Sequence, residues 1–324
     1  MGENLGIFTF SMGKIVAICA SKQKGIQKTE VPSCSVKINH GIEGDAHAGT
    51  WHRQISFLDK EEIDAFKQQG ANVENGAFGE NFIVEGIGVK SLPVGAQLKC
   101  GDVLFEITQK GKSCHDHCAI YYSVGECIMP TRGTFAKVLK GGTIMKNDKI
   151  EIVERDTPFP FQVAVITLSD AGFKGEREDK SGPLIAERLK KEGYAIVEQF
   201  LLPDEPSFLK KELIRLADQR QVDLIITTGG TGFSPRDHTP EATLSVMDRN
   251  APGIAEAIRY ESMKITPRAM LSRGVSVIRG KTLIINLPGS PKACEESLGF
   301  ILETLPHGLD VLRGDAHNCA RKEK

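Results

Sequence analysis

Asp223-Leu-Ile-Ile-Thr-Thr-Gly-Gly-Thr-Gly232 runs from a continuous apolar stretch straight into glycine. A short unbroken apolar run bounded by turn residues reads as a strand buried on both faces, and such strands belong to parallel sheets covered by helices. The same texture recurs around it. Val163–Leu168, Ala195–Leu202 and Thr282–Leu287 read as strands, the last preceded by Val275–Ile278 across the turn Arg279-Gly280. Helical patterns separate them. Ser181-Gly-Pro opens a helix over Pro183–Glu192, and Ser207–Gln219 places Leu209, Leu213, Leu216 and Ala217 on one face. Thr239-Pro240 supplies a cap and a first-turn proline for a third helix. A final helix from Pro291 aligns Cys294, Leu298, Ile301, Leu302 and Leu305. This alternation predicts a doubly wound, mostly parallel α/β domain over 161–314.

Upstream the texture changes. Glu154-Arg-Asp-Thr-Pro-Phe-Pro160 carries charge and proline between strand-like runs and reads as a linker over 154–160. Before it, Lys14–Ala20, Ser35–Ile38, Glu80–Val84, Val103–Thr108 and Thr134–Leu139 are short β-rich runs separated by turn residues. One helix is expected at Asp59–Gln69, with Asp59 as cap and Ile63 and Phe66 on a common face. Many short strands at this spacing predict a barrel or sandwich over 14–153.

Composition sets the bounds. The 324 residues carry 41 basic and 42 acidic side chains, a formal charge of −1, which removes bulk electrostatic attraction to nucleic acid. No apolar run reaches the roughly 18 residues of a membrane span. The first ten residues lack the basic head of a secretory signal. Eight cysteines without framework spacing point to reduced thiols and a cytoplasmic protein.

In open α/β sheets ligands bind beyond the carboxyl ends of the strands. Ser169-Asp170, Pro203-Asp204-Glu205, Gly229-Gly-Thr-Gly232 and Pro288-Gly-Ser-Pro291 follow four of the expected strands, so polar or glycine-rich segments gather on one edge. Gly229–Gly232 is either a tight turn or a place where backbone amides meet phosphate oxygens. Pro235 excludes a dinucleotide fingerprint, and no Gly-Lys-Ser/Thr follows to make a Walker loop. Asp204 and Asp237 are either turn and cap residues or a carboxylate pair for Mg²⁺, which shares its oxygen ligands with substrate phosphates. Asp170 has the same two readings.

Seven motifs then appear in order: Thr167-Leu-Ser-Asp170, Asp179-Lys-Ser-Gly182, Pro203-Asp-Glu205, Thr228-Gly-Gly-Thr-Gly232, Arg236-Asp-His-Thr-Pro-Glu-Ala242, Leu271-Ser-Arg273 and Asn286-Leu-Pro-Gly-Ser-Pro-Lys292. Together they resemble the molybdopterin-binding domain of molybdopterin adenylyltransferases over about 161–314. The resemblance implies that molybdopterin and Mg-ATP yield adenylylated molybdopterin and pyrophosphate. It also implies that Gly229, Gly230, Thr231 and Gly232 cradle phosphates and that Asp204 and Asp237 form the catalytic acidic pair at the Mg²⁺ nucleotide site. Ser272, Arg273, Ser290 and Lys292 would line a pterin and phosphate groove, with Ser169, Asp170, Pro288 and Gly289 beside them. Asp179 and Ser181 would sit on a loop, 172–181, able to close over ligand. Asn250 stands where relatives often carry an acid, and similar scaffolds bind molybdopterin without a clear catalytic assignment. The alternative is therefore a non-catalytic molybdopterin carrier. A homotrimer through this domain is a further implication of the resemblance.

The first half offers two clusters. Lys110-Gly-Lys-Ser-Cys-His-Asp-His-Cys118 is a reactive Cys114 favoured by nearby cations, a metal site, or a pair of ordinary thiols. His40-Gly-Ile-Glu-Gly-Asp-Ala-His47 with His52-Arg53 is an anion-binding loop or a set of surface histidines. With Gly79-Glu-Asn81, Val94-Gly95 and Gly111–Cys114, these residues resemble the MOSC domain of molybdenum cofactor sulfurases over about 14–153. That resemblance implies a β-barrel that binds molybdenum cofactor or carries sulfur, with Cys114 as the matching carrier. The two resemblances together imply a fused molybdenum-cofactor biosynthetic enzyme. A separate molybdenum insertase is the expected partner, with no nucleic-acid or membrane partner.

Overall fold

The computed structural model describes residues 12–112, 121–122, 125–155 and 158–314. The chain divides into two compact units after Phe159.

In the first unit, β1 (Met12–Ala20), β6 (Phe82–Glu85), β5 (Ile55–Asp59), β9 (Thr134–Lys140), β8 (Val103–Lys110), β7 (Gln97–Cys100) and β11 (Lys149–Val153) follow one another around a sheet. Pairing of β1 with β11 closes it, with Gly13 opposite Ile150. The expected choice between barrel and sandwich resolves to a barrel. Among the described residues only β5 and β6 run parallel in it; β2 (Thr29–Val31) is appended to β1. A small separate sheet joins β10 (Gly142–Met145), β3 (Ser33–Lys37) and β4 (Gly41–Ile42).

Alternation along the strands makes two cores. Phe57, Phe82 and Phe105 pack in one, with ring centroids 5.4–5.9 Å apart. Their neighbours Leu58 and Ile83 face the other way, under Ile63 and Phe66 of α1 (Lys60–Gln68). Asp59 precedes α1 as expected, but its side chain does not cap the helix. The carboxylate instead accepts the amides of Val89 and Lys90 at 2.8 and 3.0 Å, fastening a distant 3₁₀ turn.

Several motif residues of this half are buried scaffolding. Lys28 and Asp45 form an ion pair at 2.9 Å with each side chain only 1% exposed. Asp45 also accepts the amides of Ser21 and His47. Burial pushes the Asp45 carboxyl up, but hydrogen bonding from His47 and the charge of Lys28 outweigh it and hold the group below the usual carboxylate range. Glu80, wholly buried, accepts the amides of Gly76 and Phe78, and burial drives its carboxyl up. Asn81 ties β1 to β5 through Cys19 and Ser56.

The second unit is a six-stranded sheet in the order β13 (Ala195–Leu202), β12 (Gln162–Leu168), β14 (Leu224–Thr228), β17 (Thr282–Leu287), β16 (Ser276–Arg279) and β15 (Arg249–Asn250). The first four run parallel; β16 and β15 are added antiparallel. Successive strand residues feed opposite cores. Val163, Val165, Leu224 and Ile226 meet α4 (Ser181–Lys191), α7 (Pro252–Ile265), α8 (Pro291–Ile301) and α9 (Leu305–Arg313). Ala164, Ile166 and Ile225 meet α5 (Pro206–Ile214) and α6 (Thr239–Leu244). The doubly wound expectation is met. Two further helices are short, α2 (Met129–Arg132) in the first unit and α3 (Asp170–Phe173) in the second.

Two helix details depart from expectation. Ser207–Gln219 is not one regular helix, because residues 215–219 widen into a π turn. Thr239 does not cap α6: His238 holds that position, and the Thr239 hydroxyl donates to the Gly229 carbonyl at 2.9 Å. Among the described residues no helix is long and apolar enough to cross a membrane.

Removing one partner of a buried ion pair strands the other in a poor dielectric. Lys28→Met should therefore cost the first unit about 3–5 kcal/mol in denaturant unfolding. An unchanged midpoint would show that the amides of Ser21 and His47 suffice for Asp45.

Candidate functional site

The carboxyl ends of β12, β14 and β17 open into a cleft of about 740 Å³. Its floor is the Thr228-Gly229-Gly230 backbone. Gly229 has φ +101°, and a Cβ there would lie 2.3 Å from the Leu168 carbonyl oxygen. Gly230 has φ +64°, and its Cβ would lie 2.4 Å from the Thr239 hydroxyl. Both positions need glycine for conformation and for closeness.

The acids flank this loop. A Cβ on Gly230 would sit 3.4 Å from Asp204 Oδ1, and one on Gly232 would sit 2.9 Å from Asp237 Oδ2. Asp204 and Asp237 both line the cleft. Burial, with the neighbouring charges of Asp170 and Asp237, pushes the Asp204 carboxyl above the usual range. Asp237 Oδ2 accepts the Ser234 amide at 3.1 Å. Among the described residues no group of three or more His, Cys, Asp or Glu forms a metal cage. Asp204, which feels the charge of Asp237, and Asp237 itself are the carboxylates here that could hold a divalent ion.

The remaining predicted positions divide. Ser169, Asp179, Ser181, Gly229, Gly230, Gly289 and Ser290 line the cleft. Within it, Asp179 accepts the Thr167 hydroxyl at 2.7 Å and the amides of Ser181 and Gly182 at 3.0 Å, which seats the start of α4 on β12. Ser181 donates to the Gly289 carbonyl at 2.8 Å, and Ser290 caps α8 by accepting the Ala293 amide. Asp170, Thr231, Gly232, Ser272, Arg273, Pro288 and Lys292 lie outside the lining. Arg273 donates to the carbonyls of Gly232 and Asp237 at 2.7 and 2.5 Å and pairs with Glu241, so it staples the loop. Its amide reaches the Thr231 carbonyl at 2.9 Å. Ser272 accepts the Gly274 amide, the Pro288 carbonyl accepts the Thr228 hydroxyl, and the Lys292 side chain is 85% exposed.

Sequence reasoning passed over Arg177 and Lys180, which line the cleft from the 172–181 loop. Arg177 donates to the Ser169 hydroxyl at 3.0 Å. Their charge was visible in the sequence, but only the fold turns that loop toward the glycines. In the first unit, Cys114 and its neighbours His115, His117 and Cys118 lie outside the described residues. His52 Nε2 is 2.9 Å from Gln109 Oε1, and Arg53 stacks 4.7 Å from the Trp51 ring centroid.

The fold and the cleft define a class: a doubly wound α/β ligand-binding domain with a glycine loop and paired acids at its strand ends, preceded by a β-barrel domain. Residues 164–307 match the family model described as a probable molybdopterin binding domain, and residues 44–151 match that of the MOSC domain. A molybdopterin adenylyltransferase from Helicobacter pylori (strain ATCC 700392 / 26695) is 41% identical over 155 residues, 47% of this chain and 88% of the relative. That of Escherichia coli (strain K12) is 41% identical over 142 residues, 42% of this chain and 71% of the relative. The crystal structure of the molybdopterin biosynthesis enzyme MoaB from Thermus thermophilus shares 49% identity, covering 48% of this chain and 97% of that one, with a TM-score of 0.46. The chain belongs to the molybdopterin adenylyltransferase family through its second half, and carries a MOSC domain in its first.

Two glycine substitutions should act in opposite directions. Gly229→Ala forces a Cβ onto backbone at positive φ and should cost more than about 1 kcal/mol. Gly299→Ala, exposed within α8 with open space around it, should gain about 0.4–1 kcal/mol. Equal midpoints in thermal unfolding would contradict the close approach at Gly229.

Proposed function

We propose that the second unit adenylylates molybdopterin at this cleft in molybdenum cofactor biosynthesis, using Mg-ATP. The observation that carries the reading is the convergence of the glycine loop with Asp204 and Asp237 at the strand ends. A terminal phosphate oxygen of the pterin attacks the α-phosphorus of ATP; the bond to the β-phosphate oxygen breaks, and pyrophosphate leaves. Such a reaction asks the protein for alignment and charge neutralisation rather than covalent help. Amides of the glycine loop from Gly230 onward would hold phosphate oxygens, and Asp204 and Asp237 would hold the divalent ion that accompanies the nucleotide. Arg177 and Lys180 present cations to anionic substrate across the same cleft. In this reading the MOSC unit binds cofactor or passes sulfur from Cys114, and a separate insertase takes the adenylylated product in the cytoplasm.

Pyrophosphate release from Mg-ATP should require molybdopterin and fall at least about 100-fold in Asp237→Ala. Tight pterin binding with no release from the unaltered chain would remove the enzyme and leave the non-catalytic carrier.

A homotrimer through the second unit belongs to the same reading. Tyr260, Met263 and Ile265 of α7, with Met270 and Leu271 just after it, are large apolar side chains 40–62% exposed, which favours a subunit contact there. Native mass should be three times the 35.4 kDa of one chain, and a monomer at working concentration would remove the trimer.

A further inference from the structure

Arg236 does not line the cleft, yet it is bound into the segments that do. Its Nε and Nη2 fork onto the two oxygens of Asp170 at 2.9–3.0 Å, and Nη1 donates to Glu205 at 2.8 Å. Asp170 and Asp204 clasp each other. The Asp170 amide donates to Asp204 Oδ2 at 2.8 Å, and the Asp204 amide donates to Asp170 Oδ1 at 3.0 Å. One guanidinium thus joins the segments following β12, β13 and β14. Folding stability is only a modest part of its role, because the side chains of Arg236, Asp170 and Glu205 are 50%, 35% and 44% exposed and solvent screens such pairs. What the fork does determine is direction: two parallel hydrogen bonds fix the plane of the Asp170 carboxylate, and that plane fixes where Asp204 is held.

We propose that Arg236 is a positioning residue that, by clamping Asp170, holds the Asp204 carboxylate where the divalent ion of Mg-ATP binds. The inference rests on the assignment of Asp204 to that ion made above. It also explains why Asp170, an acid beside the pair, does not compete for the ion: its oxygens are already engaged by Arg236 and by the Asp204 amide. Loss of Arg236 both loosens Asp204 and exposes a third negative charge beside it. A lysine replaces the charge but not the fork.

The test uses the full chain and titrates ATP binding against Mg²⁺ by calorimetry in the wild type, Arg236→Gln, Arg236→Lys and the double variant Arg236→Gln with Asp170→Asn. Pyrophosphate release, molybdopterin binding and the thermal midpoint are measured alongside. Arg236→Gln should raise the Mg²⁺ concentration for half-maximal ATP binding by about 10–100-fold, the usual effect of removing a group that orients a metal ligand. Arg236→Lys should recover only part of this. The double variant should lose no more than Arg236→Gln, because both changes break one clamp. Molybdopterin binding should hold, and the midpoint should stay within about 3 °C. An unchanged Mg²⁺ dependence in Arg236→Gln would overturn the proposal, as would a loss matched by equal losses of pterin binding and midpoint. A wild type that binds Mg-ATP but releases no pyrophosphate, with the Mg²⁺ dependence still shifted in Arg236→Gln, would remove adenylylation and keep the clamp. A wild type that binds no Mg-ATP would remove both.

Discussion

Gly229 lies so close to the Leu168 carbonyl that a Cβ would come within 2.3 Å of it, and the rest of the carboxyl edge is built on this backbone contact. β12 and β14 are parallel neighbours, with Thr167 opposite Thr228, so the chain leaving β14 passes over the end of β12. A side chain at 229 would lift that loop away. With glycine there, the Gly229 carbonyl reaches the Thr239 hydroxyl, and Arg273 binds the carbonyls of Gly232 and Asp237. The Gly229 amide turns to the Leu287 carbonyl at 3.4 Å. The loop is thereby held largely through its own oxygens, which leaves its amides from Gly230 onward as the groups that can meet an anion. Preorganisation of this kind keeps reorganisation out of the reaction itself.

The acids are differentiated by their neighbours rather than by their type. Asp170 accepts the Asp204 amide and carries a guanidinium, and these hold its carboxyl below the ordinary range. Asp204 is more buried and feels the charges of Asp170 and Asp237, so its carboxyl is pushed up. Three acids in one neighbourhood would repel unless something neutralised them. Arg236 does so for Asp170 from outside the cleft, and a divalent ion on the inside would do so for the other two.

How far the sequence reaches follows from where each signal is stored. Strand texture is local, so Ala195–Leu202 and Thr282–Leu287 emerge with the limits read from hydrophobicity alone. The gathering of polar segments on one edge also follows, since parallel strands separated by helices leave their carboxyl ends together. Cap chemistry is different. Asp59 and Thr239 are both good cap types, yet each side chain bonds a group that only tertiary structure delivers, the Val89 and Lys90 amides in one case and the Gly229 carbonyl in the other. Arg273 illustrates the same limit. An arginine beside glycine-rich loops is chemically suited to phosphate, and nothing in its sequence setting reveals that nearby carbonyls occupy it. Arg177 is the converse: an unremarkable loop charge that the fold delivers to the cleft.

The two units show why a motif alone does not distinguish a ligand-facing acid from a scaffold. Asp45 in the barrel, which follows Gly44, and Asp204 at the sheet edge are both acids in turn-forming segments. Asp45 is 6% exposed and satisfied by Lys28 and two amides, so its charge has nothing left to offer a ligand. Asp204 keeps oxygen capacity beyond its one amide bond and faces a cleft. Glu80 and Asn81 follow Asp45, with their polar atoms directed at the chain's own amides, hydroxyl and carbonyl. Strong patterning in the barrel half therefore records the cost of burying polar groups, each of which must find a partner. At the sheet edge the informative groups are those left incompletely satisfied: Asp204, and the amides of the glycine loop from Gly230 onward.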